Sequence, residues 1–258
     1  CTPMGARLLK HYLLNPLQDL NRIKRRLSAV GNLHQQAMIR RQFRDTLASI
    51  YDIERLNSRM VLGHGNCRDA VALKQSFAKL PEIAELAAAC ESQKLQEISK
   101  QFDTLSDLHD LLAASIADDP PVTLRDGNLI RPGYSEELDE LTALLRDGKQ
   151  LILNLEHQER EATSIPKLKI GYNKVFGYFI EVSKVNLDKV PEHYIRKQTL
   201  VNAERFITPD LKVWEEKITR AEEEILEIEK QLFDEICDRV AAQAGPIQQD
   251  AHSLALLD

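Results

Sequence analysis

The side chains best suited to chemistry in this sequence form one polar run. Arg196-Lys197-Gln198-Thr199 is followed by Asn202 and Arg205 in an Asn-x-x-Arg spacing. Cations, small amides and a hydroxyl are the groups that contact phosphate and sugar. Nothing nearby resembles a recognition helix that reads base edges. The chemistry implied is therefore backbone contact rather than catalysis. Catalytic patterns are absent elsewhere. There is no GxxxxGK[ST] loop and no GxGxxG, so neither a P-loop nor a dinucleotide site is expected in this chain. Seven histidines are scattered, and His64 with Cys67 makes a lone H-x-x-C pair without the second pair a metal site needs. Asp118-Asp119 and Glu222-Glu223-Glu224 read as solvated charge in loops or on helix surfaces. Cys1, Cys67, Cys90 and Cys237 lie far apart and read as reduced thiols rather than a disulfide framework.

The polar run lies inside residues 165–211, a stretch unlike the rest. LKIGY, VFGYFIEVS and HYIRKQTL alternate or cluster β-branched and aromatic residues, with Gly171, Gly177 and Pro191 as punctuation. On either side are long helical patterns. Ser135 caps a helix over 135–162, with Leu138, Leu141, Leu145, Ile152 and Leu155 on one face. Thr208-Pro209-Asp210 starts another. Its stripe is Leu211, Trp214, Ile218, Ala221, Ile225, Ile228, Leu232 and Ile236, and Gly245-Pro246 is expected to end it. Two long antiparallel helices carrying a small β-module at their tip follow from this order.

Before them the pattern is all-helical. Thr2-Pro3 caps a first helix that Asn15-Pro16 stops. Asp19 starts a second, which Gly31-Asn32 is expected to end. Further helices are expected over 33–61, 68–79, 82–90, 92–101 and 103–117. Residues 118–133, DDPPVTLRDGNLIRPG, read as a small hairpin about Asp126-Gly127. The fold class expected is mainly α, with a small β-sheet.

Composition bounds the function. In 258 residues the formal net charge is −6, which excludes a uniformly basic nucleic-acid binder. The distribution is uneven. Residues 165–211 hold eight Lys or Arg against five acids, a balance of +3, and the remaining chain is at −9. A positive tip on a negative shaft suits contact with a polyanion. It equally describes an ordinary solvated surface, and composition alone leaves both open. No apolar run is long enough to span a membrane.

The sequence resembles a known family. TPMGARLLKHYLLNPLQDLNRIKRRLSAVGNL at 2–33 and YDIERLNSRMVLGHGNCRD at 51–69 are similar to the core of MutS-family DNA mismatch-repair proteins. PPVTLRDGNLIRPGYSEELDEL at 120–141 is similar to the segment leading into that family's lever helix. LKIGYNKVFGYFIEVSK at 168–184 and YIRKQTLVNAERFITPDLKVWEEKI at 194–218 are similar to its clamp. The resemblance runs in order through essentially the whole chain.

It implies a core and lever region over 1–133. A clamp with its supporting long helices follows over 134–227, with the β tip at about 165–211. The lever helix then returns, with the start of the remaining core, over 228–258. It also implies part of a longer protein, without the mismatch-reading domain and the ATPase domain. ATP and Mg would belong to that second domain, so no cofactor and no enzymatic activity are expected in this chain. Partners implied are duplex DNA held by its backbone, a second copy in a homodimer and a MutL-type protein. The location implied is the bacterial cytoplasm, at the nucleoid. Carried over by position, the DNA-contacting candidates are Arg196, Lys197, Gln198, Thr199, Asn202 and Arg205, with Asn173 and Lys174 as weaker ones. Val201 departs from family members that carry Lys there, which would remove one phosphate contact. Tyr12 stands where many members have Trp, a difference read as core packing. The function implied is non-specific grip on duplex DNA and transmission of ATP-driven change to clamp opening. Two rivals stand beside it: a coiled-coil protein-interaction module with a β tip, and a recombination-related member of the same family.

Overall fold

The structure is a computed structural model that describes residues 1–258 except 174 and 176. Among the described residues the helices are α1 (Pro3–Leu14), α2 (Leu20–Gln35), α3 (Ala37–Leu47), α4 (Ile53–Val61), α5 (Cys67–Phe77), α6 (Leu80–Ala88), α7 (Gln93–Ser99), α8 (Ser106–Ser115), α9 (Glu136–Thr163), α10 (Pro209–Ala242) and α11 (Ala244–Leu257). Between α9 and α10 lie four strands: β1 (Lys169–Asn173), β2 (Gly177–Ser183), β3 (Ile195–Thr199) and β4 (Ala203–Ile207). The protein is thus mainly α with one small sheet. It divides into two compact units: Cys1–Tyr134 with Glu229–Asp258, and Ser135–Ile228.

The first unit is helical throughout. Four of its helix starts, those of α1, α2, α4 and α5, are fixed by side-chain caps. Thr2 Oγ1 accepts from Gly5 N at 2.9 Å, ahead of Pro3 in the first turn. Asn66 and Asp69 satisfy each other's backbone N–H groups in a capping box that opens α5. Phe43, Leu73, Phe77, Leu80, Ile83 and Leu112 are buried in its core, with Phe233, Ile236 and Val240 from the last part of α10.

Several sequence expectations are corrected here. The helix expected over 33–61 is two, α3 and α4, because Asp52 caps a new start by accepting from Arg55 N. Gly31 does not end α2, which continues to Gln35. Gly245-Pro246 does not end α10 but sits in the first turn of α11, where proline's missing N–H costs nothing. The hairpin about Asp126-Gly127 does not form. Leu124–Asp126 is a single 3-10 turn, and Gly127 and Asn128 both take positive φ. The following residues pair elsewhere. Ile130 bridges Ile116, and the amides of Leu129 and Ile130 donate to the buried Glu229 carboxylate at 2.8 and 3.3 Å. A side chain 100 residues away in sequence thus sets the backbone of this loop.

In the second unit, α9 and the first part of α10 run antiparallel. Gly148 lies against Ile218, Lys149 pairs with Glu222 at 2.8 Å, and Leu155 packs on the cluster that contains Leu211. Later residues of α9 therefore meet earlier residues of α10. The sheet has strand order β1-β2-β4-β3, all antiparallel. One face buries Ile180, Val182 and Phe206 with Ile165, Leu168, Tyr194 and Leu211. Alternation along β2 and β4 supplies that face.

Candidate nucleic-acid interface

The sheet is fastened to the helices by polar bonds as well as by its apolar face. Glu156 of α9 accepts from Ile170 N at 2.8 Å, and Arg160 donates through Nη2 to Leu168 O at 3.0 Å. Tyr194 OH donates to Glu159 at 2.7 Å. Burial, and then this carboxylate, push the Tyr194 phenol well above its ordinary range. From α10, Glu215 accepts from Tyr178 N at 2.9 Å. Gly177 takes a positive φ that favours glycine, and its lack of a Cβ leaves room for the Glu215 carboxylate.

This arrangement gives the sheet two ends. Ile207 leads directly into α10, and Gly177 lies beside Glu215, so the β1–β2 turn is at the helix end. Ser183 pairs with Ala203, so the β3–β4 turn is at the opposite end, roughly 20 Å away along the seven residues of β2. The candidates therefore separate. Asn173 belongs to the helix end, where its Oδ1 accepts from Val175 N at 2.8 Å and shapes the turn. Lys174 lies outside the described residues. The distal end holds Thr199 and Asn202, both exposed, and edge strand β3 leads to it through Arg196, exposed Lys197 and Gln198.

Among these, Lys197 is the most available. The register of β3 steps between Arg196, opposite Phe206, and Gln198, opposite Arg205. Lys197 is the extra residue of that bulge, a device that re-aims a side chain at a sheet edge. It has no ion-pair partner among the described residues. Arg196 keeps 64% of its side chain exposed while contacting Glu204 at 3.3 Å. Arg205 is different. Its guanidinium lies 4.1 Å over the Phe179 ring, donates to Glu181 at 3.0 Å and to Gln198 Oε1 at 3.0 Å, and is only 21% exposed. It organises the sheet face and holds Gln198.

Lys184 belongs to the distal end too, although the polar run did not include it. It is exposed, and its backbone N–H donates to Asn202 O at 3.1 Å across to the β3–β4 turn. Only strand pairing reveals this, since 18 residues separate the two in sequence. Val201, at the turn, is 86% exposed.

Cys67 of the H-x-x-C pair is buried in the first unit. Burial first, then neighbouring Cys237, Glu229 and Asp69, push its thiol up to about 12. It is held as the thiol, which is a poor metal ligand. No group of three or more His, Cys, Asp or Glu is arranged to hold a metal among the described residues.

The family model of MutS domain III matches residues 1–258. The chain belongs to the MutS family. Relatives called DNA mismatch repair protein MutS align with all of it. That of Symbiobacterium thermophilum is 49% identical over 257 residues, that of Desulforamulus reducens 47% over 257, and that of Pelotomaculum thermopropionicum 44% over 258. The chain spans 29–30% of the length of these three relatives. It corresponds to domain III of a MutS-family mismatch-repair protein, and not to the family's ATPase domain. No helix among the described residues is long and apolar enough to cross a membrane.

Proposed function

We propose that the distal end of the sheet grips duplex DNA through its phosphates, and that α9 and α10 carry conformational change to it. The carrying observation is the exposed set Lys184, Thr199 and Asn202 at the distal end, continued along edge strand β3 by exposed Arg196 and by Lys197 on a bulge. The groups there contact phosphate without reading bases. The helix pair suits transmission because four side chains tie it to the sheet at both edges of the junction. Helix α10 is unbroken over 34 residues, about 50 Å. A small rotation at one end of such a rod becomes a large displacement at the other. In the longer protein the driving change would come from ATP turnover outside this chain. A second copy would supply the opposing clamp, and a MutL-type protein would be the downstream partner.

The test is fluorescence anisotropy of a labelled duplex of about 25 base pairs at several salt concentrations. Binding should be equal for matched and mismatched duplexes and should be lost in Arg196→Glu/Lys197→Glu. Three phosphates, one neutralised by each of Lys184, Arg196 and Lys197, give a log–log salt slope of about −2.7. Val201→Lys should steepen that slope by about 0.9 by adding one contact. Preference for a mismatch, or wild-type binding by the double variant, would remove this reading. Tight binding of protein partners by the tip with no DNA binding would favour the interaction-module reading instead.

A further inference from the structure

The β tip is not the most positive part of the chain. Residues 20–44 hold seven Lys or Arg and no Asp or Glu. In the first unit this stretch helps to line a cleft of about 810 Å³ between α2, α3, α7 and the end of α11. That volume is within the range of ligand-binding pockets. Arg22, Arg25, Arg26, Arg40, Arg44 and Lys94 line it. The one acid among the lining residues is Asp258, whose carboxylate already accepts from Thr2 N at 2.6 Å and from Thr2 Oγ1 at 2.8 Å.

The cations are not consumed by internal pairing. Arg26 stacks 3.7 Å from the Tyr12 ring centroid, and Arg40 Nη1 donates to Leu33 O and His34 O. Arg25 is shared with Glu97. Arg22, Arg44 and Lys94 have no ion-pair partner among the described residues. Between these charges the lining is apolar, with Val30, Leu33 and Phe43. Val30 is 59% exposed, and Leu20 and Leu27 on the same helix exceed 60%. A cleft of like charges attracts ligands of the opposite sign, and exposed apolar side chains between the charges suit a ligand that also brings apolar groups.

We propose that this cleft docks an acidic polypeptide segment that presents apolar side chains to the floor and carboxylates to the rim. Charge complementarity selects acid. The apolar floor selects polypeptide over nucleic acid, whose phosphates would leave the exposed Val30 uncovered. The proposal is independent of the DNA grip, which uses residues of the other unit.

The probe is a fluorescein-labelled helical peptide of about 16 residues, with Leu at i, i+3, i+4 and i+7 spacing and Glu elsewhere. It is titrated against the whole chain at low salt. Binding is expected, with affinity falling at least tenfold in Arg22→Glu/Arg44→Glu and unchanged in Arg196→Glu/Lys197→Glu. Arg22 and Arg44 are exposed, so the variant retains the core, and Lys94→Glu gives a second, independent loss. Three results would overturn the proposal: no binding of the acidic peptide, equal binding when its Leu residues become Ser, or displacement by inorganic tripolyphosphate at matching affinity.

Discussion

At the residue scale, two arginine-like roles have to be told apart. Lys197 is exposed on a bulge, whereas Arg205 is stacked on Phe179 and bonded to Glu181 and Gln198. Lys197→Ala is expected to weaken DNA binding and shorten the salt slope by about 0.9, with an unchanged melting temperature. Arg205→Ala should do the reverse. It loses a cation–π contact and a partly shielded ion pair, about 1–2 kcal/mol of stability, and leaves the slope alone. Measuring slope and melting temperature on both variants decides the assignment. A second residue prediction concerns Asp250, fully buried on α11. It accepts from Asp103 N at 3.0 Å, yet burial dominates and raises its carboxyl from 3.8 to about 7. Between these values the folded chain holds a proton that the unfolded chain has released. Stability due to Asp250 is therefore full below about pH 4 and falls as pH rises to about 7, by a total of about 4 kcal/mol. Asp250→Asn keeps an acceptor for Asp103 N. Its melting temperature relative to the parent should rise from pH 4 to pH 7 and then level off. A difference that does not change with pH would show that Asp250 stays ionised.

At the scale of elements, the helix pair depends on a few contacts. Ile218 is 3% exposed against Gly148, where an added Cβ would come within 3.2 Å of Ile218 Cγ1. Ile218→Asp should cost about 3 kcal/mol or more and lower the melting temperature by roughly 10 °C. Ile225→Asp should cost less, because Ile225 is only half-buried. A melt in which the two variants match would show that the seam does not follow the buried line. Sequence periodicity read this helix correctly from Leu211 through Ala221 and then drifted. Past Ile225 the buried side chains are Glu229, Phe233, Ile236 and Val240; Ile236 belongs to the expected stripe, whereas Ile228 and Leu232 are only half-buried. The drift has a cause: the helix passes there from pairing with α9 to packing in the first unit. A carboxylate faces inward at Glu229 because it serves two backbone amides, a reason no hydropathy pattern carries. The strands were legible because Gly and aromatic residues punctuate them. The hairpin at Asp126-Gly127 was not, because its backbone is set by Glu229 from far along the chain. Nor could spacing reveal that Asn173 lies at the other end of the sheet from Asn202. That depends on strand order.

At the scale of the whole molecule, charge has to be read locally. A net charge of −6 hides a distal sheet end rich in Lys and Arg, and averaging the rest at −9 hides the uninterrupted cations of residues 20–44. Each positive region lies in a different unit, and a different kind of partner is proposed for each. The proposed grip is small, five polar side chains with three cations, so phosphate contacts through it alone would give weak and salt-sensitive binding. Two such ends on one duplex would act differently, since the second contact forms at an effective concentration set by the tether rather than by bulk protein. A tandem fusion of two copies through a flexible linker long enough to span a duplex is therefore expected to bind DNA 10²-fold or more tightly than the single chain. Its salt slope should approach twice the single-chain value, because twice as many phosphates are neutralised. Changing Lys197→Ala in one copy should remove about half of the effect on the slope that changing both removes. If the fusion gains no affinity over the single chain, the tips do not grip one duplex together, and a paired clamp is excluded.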